Sequence, residues 1–497
     1  MSPGAVQGNL PTRWRRAAGW MAWGCVVVSA AVFARRGLAA AEAADVAPGV
    51  AVTSGFEEES FFALWRAAHG QAIYTEATRQ PYAAAYFNWL FYAGYRGPVA
   101  AAMRTGGDAA IPRAARLVTA AGALLGCGML GWLLWRVLPG YPAAAAGLAS
   151  FVFFGPLVGW WAHSVRPDAW ALALECAALA GLLSLYRERP VAAALLACLL
   201  FYGAWSFKQT YVLGLGSAGL FLLLRRQWRT FALLLAGSVA LWAVTFIAGG
   251  EAYRAAFRAT LVTNVYFLAH GLGNLHELLL KGAPLLLIAG WLVGRRRVPE
   301  PPASFAADAC LLGGAGFLLS FSLAFIASCK IGAFSNHFFT PQLMLAILAG
   351  GLIATRESNL AALAGFGAAC AMQLAIAFGV IGHADLRPQT RELARVWATW
   401  HQEPEPRFSA LTGLNLPWLN PGSPPLVLAY NYELDRRAGK AFEADGVGGL
   451  VEAGYFRSLL LPAETRQSYD GGSLQQYVRT NTVGQLAVFR RRDSLNP

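Results

Sequence analysis

"TSGFEEESFFALWRAAHGQAIYTE", residues Thr53 to Glu76, follows directly on a hydrophobic segment near the N-terminus and sets three carboxylates, Glu57, Glu58 and Glu59, in succession. Phe56, Phe61, Leu64, Trp65 and Ala68 recur within it at helical spacing, which predicts a helix with one apolar stripe and a polar opposite face. Such a helix suits the membrane interface. The glutamates fall at its N-terminal end, where the helix dipole favours carboxylates. They read either as a solvated helix start or as acids placed for chemistry just beyond a membrane-length segment.

The rest of the chain supplies the setting. Of 497 residues, 56% are hydrophobic and only 13% charged, too little polar surface for a soluble globule, so the chain reads as a polytopic membrane protein. A helix needs about 20 apolar residues, at about 1.5 Å each, to cross the ~30 Å hydrocarbon core. Runs near that length begin around Ala17, Ile111, Pro142, Ala169, Pro190, Thr210, Thr230, Leu275, Phe305, Phe338 and Leu360, which predicts about eleven transmembrane helices. The shortest run is "APLLLIAGWLVG", with the amphipathic lead-in "NLHELLLK".

With the N-terminus inside, the cytoplasmic gaps hold Arg136; Arg187 and Arg189; Arg225, Arg226 and Arg229; Arg295 to Arg297; and Arg356. Each is short and basic, as the positive-inside rule requires. The same placement accounts for the net charge of +13 and speaks against a nucleic-acid partner, which would want one basic face with interleaved aromatics. The apolar run Trp20 to Phe33, preceded by Arg13 to Arg16, is similar to a signal peptide, but Arg35 and Arg36 interrupt the route to a cleavage site, so it reads as an uncleaved anchor. The seven cysteines lie within or beside apolar runs without CxxC spacing and imply neither a zinc site nor a disulfide framework.

The outer side collects the loop 37–110, "HSVRPD", Lys208 with Gln209, "KIGAFSNH" and all seven histidines. The odd number of spans also puts 383–497 outside, as a soluble domain in which "PLVLAYN" and "GQLAVFRR" have strand character and "YELDRRAG" that of a short helix. The chain thus divides into a membrane domain, 1–382, and an external domain, 383–497.

Several outer residues carry two readings. In "HSVRPDAW", Pro167 and Asp168 can simply start the fourth helix, or Asp168 can supply a second carboxylate with Arg166 ready to meet an anion. Lys208, the first lysine of the chain, either snorkels to the interface or faces a cavity and an anion. The aromatic stretch "PYAAAYFNWLFYAGY", Pro81 to Tyr95, is a lid or sugar-binding wall, or an interfacial belt.

In this order the features resemble the GT-C superfamily of integral membrane glycosyltransferases, which includes protein O-mannosyltransferases and the aminoarabinose transferases of lipid A. "GFEEESFFALW" with "HGQAIYTE" is similar to the first external loop of that family, which carries an acidic pair on a juxtamembrane helix. The "RPD" after the third span, the "KQT" of a later hairpin and "SNHFFTPQLMLAILAG" are similar to further recurring patterns. The likeness covers Ala17 to Gly382. It departs at Glu57, where many relatives have Asp, and at Glu59, a third acid.

What the resemblance implies is an all-α polytopic GT-C-like membrane protein, with an external juxtamembrane-helix loop and a small α/β C-terminal domain. Its activity would move a sugar from a polyprenyl-phosphate carrier to a lipid, glycan or protein acceptor at the external face of the bacterial inner membrane. Glu57 or Glu58 would take the proton of the acceptor hydroxyl, and Glu59 would serve the helix end or solvent. Lys208, Arg166 and Gln209 would hold the donor phosphate. Asp168 would orient the acceptor or, with Glu57, complete a site for Mg²⁺ or Mn²⁺. His163, Tyr74, Tyr82, Asn336 and His337 would contact substrate. A flippase of a lipid-linked substrate would instead need a polar pathway through spans whose one midplane charge is Glu175, and a scaffold would leave the carboxylates and cations dispersed.

Overall fold

Apolar runs that cannot leave backbone groups unpaired in lipid fold as helices, and here they do so in register with the hydropathy pattern. A computed structural model describes residues 12–46, 57–262, 265–294, 304–355, 369–372, 375–376, 387–428, 432–465 and 472–495. Helix α1 (Thr12–Val46) runs unbroken through Arg35 and Arg36 and packs against α5 (Pro142–Phe154). The loop expected to be external folds as two helices, α2 (Glu57–Ala68) and α3 (Trp89–Gly106). Asn88 caps α3 by accepting the Trp89 N–H, and Phe91, Tyr92 and Tyr95 are buried. This half of the aromatic stretch is therefore core rather than lid or belt.

The apolar runs continue as α4 (Ile111–Val137), α6 (Asp168–Leu185), α7 (Pro190–Phe207), α8 (Leu213–Leu224), α9 (Trp228–Ala248), α13 (Phe305–Ser328) and α14 (Phe339–Thr355). Between α9 and α13 lie the amphipathic α10 (Gly250–Val262) and the pair α11 (Leu268–Lys281) and α12 (Ala283–Val293). Seven described helices are long and apolar enough to cross a membrane, or eight if α11 and α12, bent by 74°, form one span. Gly282 and Pro284 stand at that break, where proline removes a helical donor. Helices α5 and α8 are shorter. Most of the run from Leu360, together with Arg295 to Arg297, Arg356 and Phe56, lies outside the described residues. Exposed Leu117, Leu195, Leu199 and Ile247 mark the lipid-facing surface.

At one end of the bundle Asp308, in the first turn of α13, is buried. It accepts the Tyr186 hydroxyl at 2.6 Å, pairs with Arg225 at 2.5 Å and takes a further bond from Arg187. One carboxylate thus ties the α6–α7 and α8–α9 connections to the start of α13.

At the opposite end stand the external-loop helices and the C-terminal domain. That domain comprises α15 (Arg387–Trp400), α16 (Tyr432–Arg437), α17 (Gly446–Glu452) and a four-stranded sheet of order β1-β2-β4-β3. Strand β1 (Arg407–Ser409) lies parallel to β2 (Ser458–Pro462), while β4 (Leu486–Arg491) is antiparallel to both β2 and β3 (Tyr477–Val483). The strand expected in "PLVLAYN" does not form over 425–428: Leu426 and Val427 bond locally to the carbonyls of Pro424 and Pro425, and residues 429–431 lie outside the described residues. A distinct apolar core under this sheet includes Phe408, Tyr432, Phe442 and Phe456, and it takes in Tyr82 from the external loop.

The Asp308 cluster generates a stability prediction. Asp308→Ala strips two arginines and a tyrosine of their shared acceptor and is expected to cost about 1–3 kcal/mol, the range for a buried polar group left unsatisfied and moderated here by the partly exposed arginines. Reversible unfolding in mixed micelles, compared with Asp308→Asn, measures it; unchanged stability for Asp308→Ala would contradict the tie.

Candidate active site

The site is assembled from four segments that meet at the end of the bundle carrying the external loop. The first is the start of α2. Glu57 is fully buried, and its Oε1 accepts the Val165 N–H at 2.9 Å and the Arg116 Nε at 3.2 Å. Arg116 reaches it from α4, donates from Nη1 to the Ala40 carbonyl at 2.9 Å and lies 5.4 Å from the Phe61 ring centre. Its place in the apolar run "IPRAARLVTAAG" was the signal for a buried partner, and the sequence reading missed it.

The helical step of about 100° separates the three acids. Glu58 is half-buried, whereas Glu59 is buried in the first turn of α2, which leaves the helix end rather than solvent of the two roles expected for it. Helix α2 is buried on nearly every side: Phe61 and Leu64 are buried on one face, and Phe62 and Ala63, beside Glu59, on another. Burial pushes the Glu58 carboxyl up to about 7; the neighbouring Glu57 charge adds to the rise, while its own backbone N–H and the charges of Arg166 and Arg116 oppose it.

The second segment is the loop before α6. Arg166 is almost completely buried, stacks over Trp161 at 4.3 Å and lies within the field of Asp168, Glu57, Glu58 and Glu59. It stands electrostatically between the α2 acids and the α6 acid. Asp168, in the first turn of α6, is fully buried.

The third and fourth segments converge on Asp168. Its Oδ1 accepts Lys208 Nζ at 2.7 Å, Asn336 Nδ2 at 2.9 Å and the Tyr211 hydroxyl at 3.3 Å. Lys208 follows the last turn of α7 in extended backbone, and its ammonium lies 6.0, 5.9 and 6.0 Å from the Phe87, Trp161 and Tyr211 ring centres. His337, beside Asn336 before α14, is within the field of Lys208 and Asp168.

Other expected residues sit apart. Gln209 donates to the Tyr86 carbonyl at 2.7 Å and, with Tyr74, Asn88 and Tyr253, lines a small cleft beside the Lys208 turn. His163 packs 4.4 Å from Phe33 and faces Gly37 of α1; burial first, then Arg36, pushes it down to about 4, so it is neutral at physiological pH. It belongs to the α1 interface. Tyr82, expected to contact substrate, lies in the C-terminal core instead, because its ring is drawn in by Tyr432 and Phe442.

A divalent ion on Glu57 and Asp168 does not fit this donor set. The Arg116 and Lys208 cations already face those two carboxylates, and no three His, Cys, Asp or Glu side chains converge among the described residues. Glu175, the midplane acid, accepts the Gly214 N–H at 2.9 Å and the Thr340 hydroxyl at 2.6 Å, so its bonds are made inside the bundle.

By sequence the chain matches no family model and no curated protein. By structure it is similar to ArnT from Cupriavidus metallidurans. The form bound to undecaprenyl phosphate superposes with a TM-score of 0.60 at 15% identity, over 97% of this chain and 99% of that one. The apo form gives a TM-score of 0.55 at 13% identity, over 89% and 94%. With this architecture shared over nearly the whole of both chains, the protein has the fold of ArnT.

Proposed function

We propose that the protein transfers a sugar from a polyprenyl-phosphate carrier to a hydroxyl-bearing acceptor at the external face of the bacterial inner membrane. One observation carries this reading: in a GT-C fold, Glu57, Glu58, Asp168, Arg166 and Lys208 converge in one buried site at the end that bears the external loop. A flippase would place charges along the bundle axis, but Glu175 is bonded internally. A scaffold would leave the carboxylates and cations dispersed, whereas here they gather at one end of the bundle. The Arg187, Arg225 and Asp308 end supports a cytoplasmic assignment for the opposite face, with the N-terminus cytoplasmic and the C-terminal domain external.

In the reaction the acceptor oxygen attacks the anomeric carbon, the bond from that carbon to the phosphate oxygen breaks, and the phosphate leaves with the electron pair. Glu58 takes the hydroxyl proton. Its raised carboxyl suits the task, since a base works best near the operating pH. Glu57, already paired with Arg116 and the Val165 N–H, fixes the start of α2. Arg166 and Lys208 stabilise the charge that grows on the phosphate, where low dielectric strengthens each contact. Asp168 holds Lys208 in place through its short bond.

Three outcomes test this reading. Glu58→Gln is expected to lower transfer by about 10² to 10⁴, the usual contribution of a general base. The carboxylate is the active form, so the wild-type rate should rise with pH through about 7, and Glu58→Gln should lose that limb. Transfer measured at matched expression checks both, and near-wild-type activity in both Glu57→Gln and Glu58→Gln would sink the assignment.

Lys208→Ala is expected to weaken donor binding or turnover by roughly 10² or more. Lys281→Ala, which breaks only the surface pair with Glu277, should change little. Equal behaviour of the two in donor kinetics would leave Lys208 only a structural partner of Asp168. Finally, because cations face both candidate ligands, transfer should survive EDTA treatment; activity lost to EDTA and restored by Mg²⁺ or Mn²⁺ would revive a metal role for Glu57 and Asp168.

A further inference from the structure

The segment 76–88 joins two places that the transfer reaction does not obviously link. At one end it is fastened to the C-terminal domain. Tyr82 is fully buried there, 5.8 Å from the Tyr432 ring and 5.9 Å from that of Phe442, and its hydroxyl donates to the Glu443 carbonyl at 2.6 Å. The Gln80 N–H donates to Glu443 Oε2 and the Glu443 N–H to the Thr78 carbonyl, each at 2.9 Å. Tyr82 holds a φ of 56°, a region that non-glycine residues enter at a cost, so these contacts over-determine its conformation.

At the other end the same segment grips the turn that carries Lys208. The Tyr86 carbonyl accepts Gln209 Nε2 at 2.7 Å, Asn88 donates to the Trp205 carbonyl at 3.0 Å, and the Phe87 ring is one wall around the Lys208 ammonium. Three residues, Ala83 to Ala85, lie between Tyr82 and Tyr86, so the two are at most about 14 Å apart along extended chain. A shift at the anchor therefore reaches the Lys208 turn with little slack.

We propose that Tyr82 is a positioning residue: its insertion into the C-terminal core sets residues 86–88, which hold Lys208 at the depth where it meets a lipid-linked phosphate. The inference rests on the reading of Lys208 given above. It gives the C-terminal domain a role in the membrane site through a side chain that touches no substrate.

The test is a double-mutant cycle on the full chain in nanodiscs, with undecaprenyl phosphate as the probe and binding normalised to folded protein. Tyr82→Ala is expected to weaken binding about fivefold to tenfold, within the range of coupling between neighbouring sites, and to have almost no effect in the Lys208→Ala background. Tyr82→Phe, which keeps the buried ring, should restore most of the affinity. Unchanged binding by Tyr82→Ala overturns the proposal, and so does an equal loss in both backgrounds, which marks general destabilisation. If Lys208→Ala itself binds like wild type, the reading of Lys208 fails first and this inference with it. Should Tyr82→Ala not fold, Glu443→Ala removes the Gln80 bond while leaving the ring buried; a Lys208-dependent loss supports the proposal, and its absence counts against it.

Discussion

The ion pair between Asp168 and Lys208 joins three parts of the bundle at one point. Asp168 opens α6, Lys208 ends α7, and Asn336, which bonds the same carboxylate oxygen, precedes α14. Burying two charges costs several kcal/mol per ion, repaid only when the geometry is close and further bonds complete the shell. Here the extra bonds come from Asn336 and Tyr211. An arrangement so dependent on several partners holds its cation in one place.

The second buried pair, Glu57 with Arg116, performs the matching service for the external loop. It fixes the first turn of α2 against α4, and through the Val165 N–H against the loop that carries Arg166. Glu58 is thereby presented toward the same cations with its carboxyl held near neutrality by burial. One charged cluster lies at the site and another around Asp308, with Glu175 bonded in α6 between them. Polar groups at the ends and an apolar middle are what a hydrocarbon slab selects.

The C-terminal domain is tied to this architecture more closely than its sequence suggests. The membrane core continues into it through Val396, Trp400, Leu414 and Leu416, while Tyr82 crosses the other way into its separate core. These reciprocal insertions make the boundary near residue 383 a boundary in chain order more than in packing.

The sequence by itself determined where the helices lie, because a membrane span must be apolar over a length set by the bilayer and its flanking arginines obey a simple bias. Within the described residues each apolar run became an apolar helix, and the amphipathic lead-in to "APLLLIAGWLVG" became part of a separate helix bent by 74° from it. The residue types of the site were legible too, since Glu57, Glu58, Arg166, Asp168 and Lys208 stand out against an apolar background. Only the tertiary structure decided what each of them faces. Arg116 and Tyr211 lie 59 and 43 residues from the carboxylates they bond, and Glu443 is 361 residues from Tyr82. Local patterns carry no record of such distances, because the pairing energy arises when separate helices pack. Nor could helical spacing say that Glu59 would be buried or that Tyr82 would leave the pocket for a second core: spacing orders side chains around one helix, and burial depends on what lies against it.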